Sequence, residues 1–98
     1  MKLTSKQRKY LRSKAHHLKP VVIVGKAEFS QAIIDTIDNC LKSHELIKVK
    51  FSQHKDSKEE IINKINKAIN SQVVGYIGNI MIIFRQNADL DKRIYEID

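Results

Sequence analysis

The chain has 98 residues, 42% of them apolar and 30% charged, with a formal net charge of +7. That length and apolar share suit one domain that buries about two-thirds of its unfolded surface. No apolar run approaches the roughly 20 residues of a membrane span, and no apolar stretch follows the basic start as in a signal peptide. A lone cysteine, Cys40, closes no internal disulfide, which points to a reducing cytoplasm.

The charge is unevenly placed. Met1 to Lys26 holds eight Lys/Arg and no acid, whereas residues 27–98 hold ten Lys/Arg against eleven acids, so the entire excess lies at the amino-terminal end. A block of one sign repels itself and is best explained by a polyanion that binds there, nucleic acid first among them.

Thr4-Ser5-Lys6-Gln7 spells a capping box and opens the first helix, expected to run to about Leu18 and to stop before Pro20. At 100° per residue, Leu3, Tyr10, Leu11, Ala15 and Leu18 share one arc. Lys2, Lys6, Arg8, Lys9, Arg12, His16 and Lys19 share the other. Only Lys14 interrupts the apolar arc, and its long stem can lie along that surface. Pro20 to Val24 is a short β-branched run, apolar on both faces, and predicts a strand in the middle of a sheet. From Phe29 or Ser30 to about Ser43, apolar residues recur every three or four, which predicts a second helix with Cys40 on its buried stripe.

Glu45 to Phe51 alternates, with Ile47, Val49 and Phe51 on one side and Lys48 and Lys50 on the other, as in a strand covered on one face. A second capping box, Ser57-Lys58-Glu59-Glu60, starts a third helix that ends near Asn70. Val73–Ile77 and Ile80–Phe84 flank Gly78-Asn79 and predict a hairpin. Residues 87–98 read as a polar tail, loosely packed, beyond a single domain at 1–86. The order α-β-α-β-α-β-β gives an α/β (mixed α+β) fold: a four-stranded mixed sheet, parallel through the helical connections and antiparallel at the hairpin, with three helices packed on it.

The opening helix is the leading candidate for function. Lys6, Lys9, Arg12 and His16 are spaced to meet successive phosphates, with Arg8 and Lys19 beside them. An ordinary solvated helix mixes both signs of charge, and this one has no acid. The junction Val24-Gly25-Lys26-Ala27-Glu28 is a second candidate, an anion pocket at a helix start, although it lacks the second glycine and Lys-Ser/Thr of a P-loop. Gly75-Tyr76-Ile77-Gly78 is a chance Gly-x-x-Gly, explained by the turn. Neither the four histidines nor Cys40 forms a zinc set or a nucleophile constellation, so no catalysis, metal, cofactor or small-molecule substrate is expected.

These residues also carry a likeness. Thr4 to Leu18 with Pro20, Val24-Gly25-Lys26, His44 to Lys50, Ile77-Gly78-Asn79 and Phe84-Arg85 together resemble the YhbY-type CRM domain (chloroplast RNA splicing and ribosome maturation) over about residues 3 to 85. The resemblance implies an RNA-binding domain similar in fold to the C-terminal domain of a bacterial translation initiation factor. It further implies, for a one-domain bacterial-type chain, association with precursors of the large ribosomal subunit and assistance in ribosome assembly. Contacts carried over from the family are Lys6, Arg8, Lys9, Arg12, His16 and Lys19 on the helix and Gly25 and Lys26 in the loop. Glu28 departs from the family's second loop glycine and repels phosphate, which shifts the load to the helix. The expected partner is ribosomal RNA, bound by a monomer. The competing expectation is a protein-interaction module whose basic helix docks on an acidic partner, with duplex DNA third. Whether Lys48, Lys50 and Arg85 extend the contact surface is open at this level.

Overall fold

Thr4 and Gln7 close the first capping box as the sequence predicts. The Gln7 N–H donates to Thr4 Oγ1 at 3.1 Å and the Thr4 N–H to Gln7 Oε1 at 2.8 Å. They start α1 (Ser5–Ala15) in a computed structural model that describes residues 2–24, 30–52 and 58–97. The remaining elements are β1 (Val22–Val24), α2 (Gln31–His44), β2 (Leu46–Phe51), α3 (Lys58–Ile69), β3 (Gln72–Ile77) and β4 (Ile80–Phe84). A single 3-10 turn, Leu90–Lys92, follows. Ser30 caps α2 by accepting from the Ile33 N–H. The second capping box begins at Ser57, outside the described residues.

The sheet order is β1-β2-β4-β3. β1 and β2 are parallel, joined through α2, while β4 lies antiparallel to both β2 and β3. The chain therefore crosses from β2 through α3 to the far edge and returns as β4 into the gap. Gly78 makes that return with a left-handed backbone, φ +58°. The predicted mixed four-stranded sheet is thus present, with one correction: β1 is an edge strand. Its Val22 and Val24 are buried and its Ile23 is exposed.

Each face of the sheet carries a separate core. On one face, Ile37 and Leu41 of α2 and Ile61, Ile62, Ile65 and Ile69 of α3 pack on Val49, Phe51, Met81 and Ile83. Cys40 packs at the margin of this layer, partly buried, as a small hydrophobe. On the other, Leu11 and Ala15 of α1, with Leu3, pack on Leu46, Val74, Ile82 and Phe84. From Leu46 to Val49, β2 is therefore covered on both sides, and the expectation of a strand covered on one face fails there. Lys48 is buried, and its Nζ donates to the Leu18 carbonyl at 2.9 Å, which ties the exit of α1 to the sheet. A bulge between Val73 and Gly75 supplies the extra residue that turns Val74 into this second core.

The segment after β4 is not a loose tail. Glu45, fully buried, has φ 61° at the end of α2, a backbone conformation unfavourable for a side chain with a Cβ. Its carboxylate accepts the backbone N–H groups of Asn87, Ile94 (2.7 Å) and Tyr95 (3.1 Å). These bonds hold the carboxyl-terminal segment across the sheet, where Tyr95 and Ile97 join the α1 core and the Tyr95 ring meets Phe84 edge-on. On the opposite layer Arg85 donates to the Asp38 carboxylate, to the Asp38 carbonyl (3.0 Å) and to the Ile69 carbonyl (2.9 Å), joining α2, α3 and β4.

Two predictions follow from these anchors. Glu45→Ala leaves three backbone donors without their acceptor and is expected to cost about 3 kcal/mol or more. Denaturant unfolding measures the loss, and amide exchange at Asn87, Ile94 and Tyr95 should accelerate first. Asp38 is held below the ordinary aspartate value of 3.8, chiefly by its hydrogen bond with Arg85. A depressed folded-state pKa stabilises the fold above 3.8 and loses that contribution as pH falls through the folded value. Asp38→Asn is therefore expected to be less stable than the parent at neutral pH, with the gap closing as pH falls below 3.8, read from unfolding curves at several pH values.

Candidate nucleic-acid interface

With Leu11 and Ala15 fully buried against the sheet, the helical repeat turns the opposite side of α1 to solvent. Lys6, Lys9, Arg12 and His16 all lie exposed on this outer side, and Lys19 is exposed just beyond the helix. The ion pairs recorded among the described residues are Lys42–Asp38, Lys64–Glu60 and Arg85–Asp38, and none involves a cation of α1. The first turn of α1 also lacks an acid, so Lys6, Arg8 and Lys9 sit near the positive end of the helix dipole. Each such placement costs a few tenths of a kcal/mol in an isolated helix. The outer side of α1 is thus a concentrated, uncompensated positive surface, ready for anions.

Not every predicted cation is equally available. Arg8 is half-buried, donating from Nη1 to the Leu3 carbonyl at 2.9 Å and from Nη2 to Ser5 Oγ at 3.1 Å, so it also braces the helix start. Lys14, the interruption of the apolar arc, places its ammonium 5.5 Å from the centre of the Tyr10 ring. Gly25, Lys26 and Glu28 lie outside the described residues. Of the three cations left open by the sequence, Lys48 is spent on Leu18, Arg85 is spent on Asp38 in the opposite layer, and Lys50 alone is exposed on the α1 side of the sheet.

A residue dismissed at the sequence level also contributes. A Cβ at Gly75 would lie 3.1 Å from Arg12 Cδ, so the bare backbone of β3 forms a seat for the stem of Arg12. The second Gly-x-x-Gly therefore has two separate causes: Gly78 turns the hairpin and Gly75 admits Arg12. Nothing in the local sequence signals this, because the contact joins residues more than 60 positions apart.

The sequence profile of the CRS1 / YhbY (CRM) domain matches residues 3–85. The chain belongs to this family. CRM-domain relatives include the probable RNA-binding protein YqeI of Bacillus subtilis, 38% identical over 88 residues, covering 89% of this chain and 92% of the relative. An RNA-binding protein of Haemophilus influenzae is 36% identical over 88 residues, covering 89% of each chain. A probable RNA-binding protein of Methanocaldococcus jannaschii is 45% identical over 87 residues, and the match spans 86% of this chain but 64% of that longer relative. The solution structure of a hypothetical protein from Staphylococcus aureus superposes with a TM-score of 0.77 at 35% identity, over 96% of this chain and 99% of that one. The CRM assignment agrees with the three helices and mixed sheet described above.

No helix among the described residues is long and apolar enough to cross a membrane, and among them no three His, Cys, Asp or Glu gather as metal ligands. The seat of Arg12 gives a direct structural prediction. Gly75→Val is expected to displace the Arg12 stem, abolishing nuclear Overhauser contacts between Arg12 Hδ and β3. Because Arg12 is exposed and flexible, unfolding free energy should change by less than about 1 kcal/mol.

Proposed function

We propose that this CRM-domain protein binds RNA through the outer side of α1, gripping phosphates with Lys6, Lys9, Arg12, His16 and Lys19. Arg8 supports the grip, and the family resemblance adds Gly25 and Lys26 as RNA contacts. The observation that carries this reading is the exposed, acid-free row of cations on α1, none of which has an acidic partner among the described residues. The names of the relatives support RNA as the polyanion. The family resemblance supports a finer reading, in which the RNA is ribosomal, carried by precursors of the large subunit, and the protein assists their assembly in the cytoplasm as a monomer without catalysis.

Phosphate contacts fix position without reading sequence, so affinity should depend strongly on salt and weakly on base identity. With about five cations engaged, namely Lys6, Arg8, Lys9, Arg12 and Lys19, log affinity against log salt is expected to slope near −3.5 on single strands, at roughly 0.7 per contact. Lys9→Glu with Arg12→Glu should flatten that slope by about 1.4 and weaken binding at least tenfold. Titration of labelled ribosomal RNA fragments at several salt concentrations measures both quantities. An unchanged slope in the double variant defeats the proposal. Co-sedimentation with large-subunit precursors that survives nuclease treatment would favour docking on an acidic protein instead.

A further inference from the structure

Strand register pairs Ile23 with Lys50, Lys50 with Ile80 and Ile80 with Ile77. These four side chains form one row across all four strands, on the face of the sheet where α1 lies. α1 covers only the other end of that face, over Leu46, Phe84 and Val74. The row is left open: Ile23 is 63% and Ile77 56% exposed, Lys50 is exposed and Ile80 is half-buried. Three strand spacings of about 4.8 Å make the row about 14 Å long. Common RNA-binding modules lay two or three bases on aromatic side chains of a four-stranded sheet, and here aliphatic side chains supply the apolar surface instead.

Charge defines what fits there. Lys50 stands within the row. Arg12 crosses Gly75 in the adjacent row, so the helix contributes a second cation at the border of the apolar surface. None of the four strands carries an acidic residue. A second copy of the chain would bring the same two cations face to face and be repelled. A ligand with flat apolar faces joined by anions meets both requirements, and unpaired nucleotides have that chemistry. A duplex hides its base faces in the stack and could use only the cations.

We propose that the row Ile23–Lys50–Ile80–Ile77 is a platform for unpaired RNA nucleotides, with bases laid on the isoleucines and phosphates held by Lys50 and Arg12. The protein then prefers looped or single-stranded RNA to duplex. This rests on the RNA-binding reading above and deepens it by naming the class of RNA.

Isoleucine methyl spectra of the full chain test it without altering the surface. A short unstructured RNA strand is expected to move the Ile23, Ile77 and Ile80 methyl signals through ring currents, and a duplex of equal length is expected to leave them in place. If the α1 amides respond to RNA while these methyls stay still, or if duplex moves them equally, the platform is wrong and RNA binding stands. If neither amides nor methyls respond, RNA binding itself fails. Methyl shifts that follow protein concentration without RNA would assign the row to self-association and overturn the platform. As a second measurement, Ile23→Thr with Ile77→Thr keeps β-branched residues in both strands. The double variant should lose about tenfold in affinity for the single strand through the apolar surface removed, with duplex affinity and salt slope unchanged.

Discussion

The seating of Leu11 and Ala15 on the sheet determines which way α1 faces, and the rest of the functional surface depends on it. Both side chains are fully buried against a layer built from Leu46, Val74, Ile82 and Phe84. Because side chains repeat every 3.6 residues, fixing those two positions also fixes Lys9, Arg12 and His16 on the outer side. The Lys48 bond to the Leu18 carbonyl then pins the end of the helix, and the bulge at Val73/Gly75 supplies both a core contact, Val74, and a seat for Arg12. Apolar packing thus aims the charges.

The same layer depends on a single acid. Glu45 ends α2 in an unfavourable backbone conformation, and its carboxylate gathers three backbone donors from the segment after β4. Those bonds bring Tyr95 and Ile97 against Phe84 and complete the wall on which α1 rests. A buried carboxylate is tolerable only where donors satisfy it, and here three do. The opposite layer has its counterpart in Arg85, whose guanidinium is shared among Asp38 and two backbone carbonyls of α2 and α3. Two charged residues one side chain deep in opposite layers therefore join elements far apart in sequence.

Much of this was legible in the sequence, and what was not has a common cause. The periodicity of α2 and the Gly78-Asn79 hairpin are local signals, and so is the capping box of Thr4 and Gln7. So is the charge row of α1, since an acid-free block stands out by composition alone. The position of β1 at an edge was not legible, because a short apolar run reads alike in the centre and at a margin, and only the long-range pairing of β2 with β4 decides. Lys48 reads as a solvent-facing residue in an alternating strand until α1 closes over it. Glu45 and Gly75 were silent for the same reason: their partners lie 40 or more positions away.

A helix whose cations repel one another near its positive dipole end is a poor helix by itself. At 11 residues it is also shorter than the length at which isolated helices become stable in water. Its stability therefore comes from the capping box and from the apolar contacts beneath it. This division of labour leaves the outermost side chains free of structural duty, since the side chains of Lys9 and His16 contribute no hydrogen bond or ion pair recorded among the described residues. A surface with no role in holding the fold can keep a charge pattern that an anionic partner relieves; the phosphates of a nucleic acid do so, and the counterions they shed favour the binding.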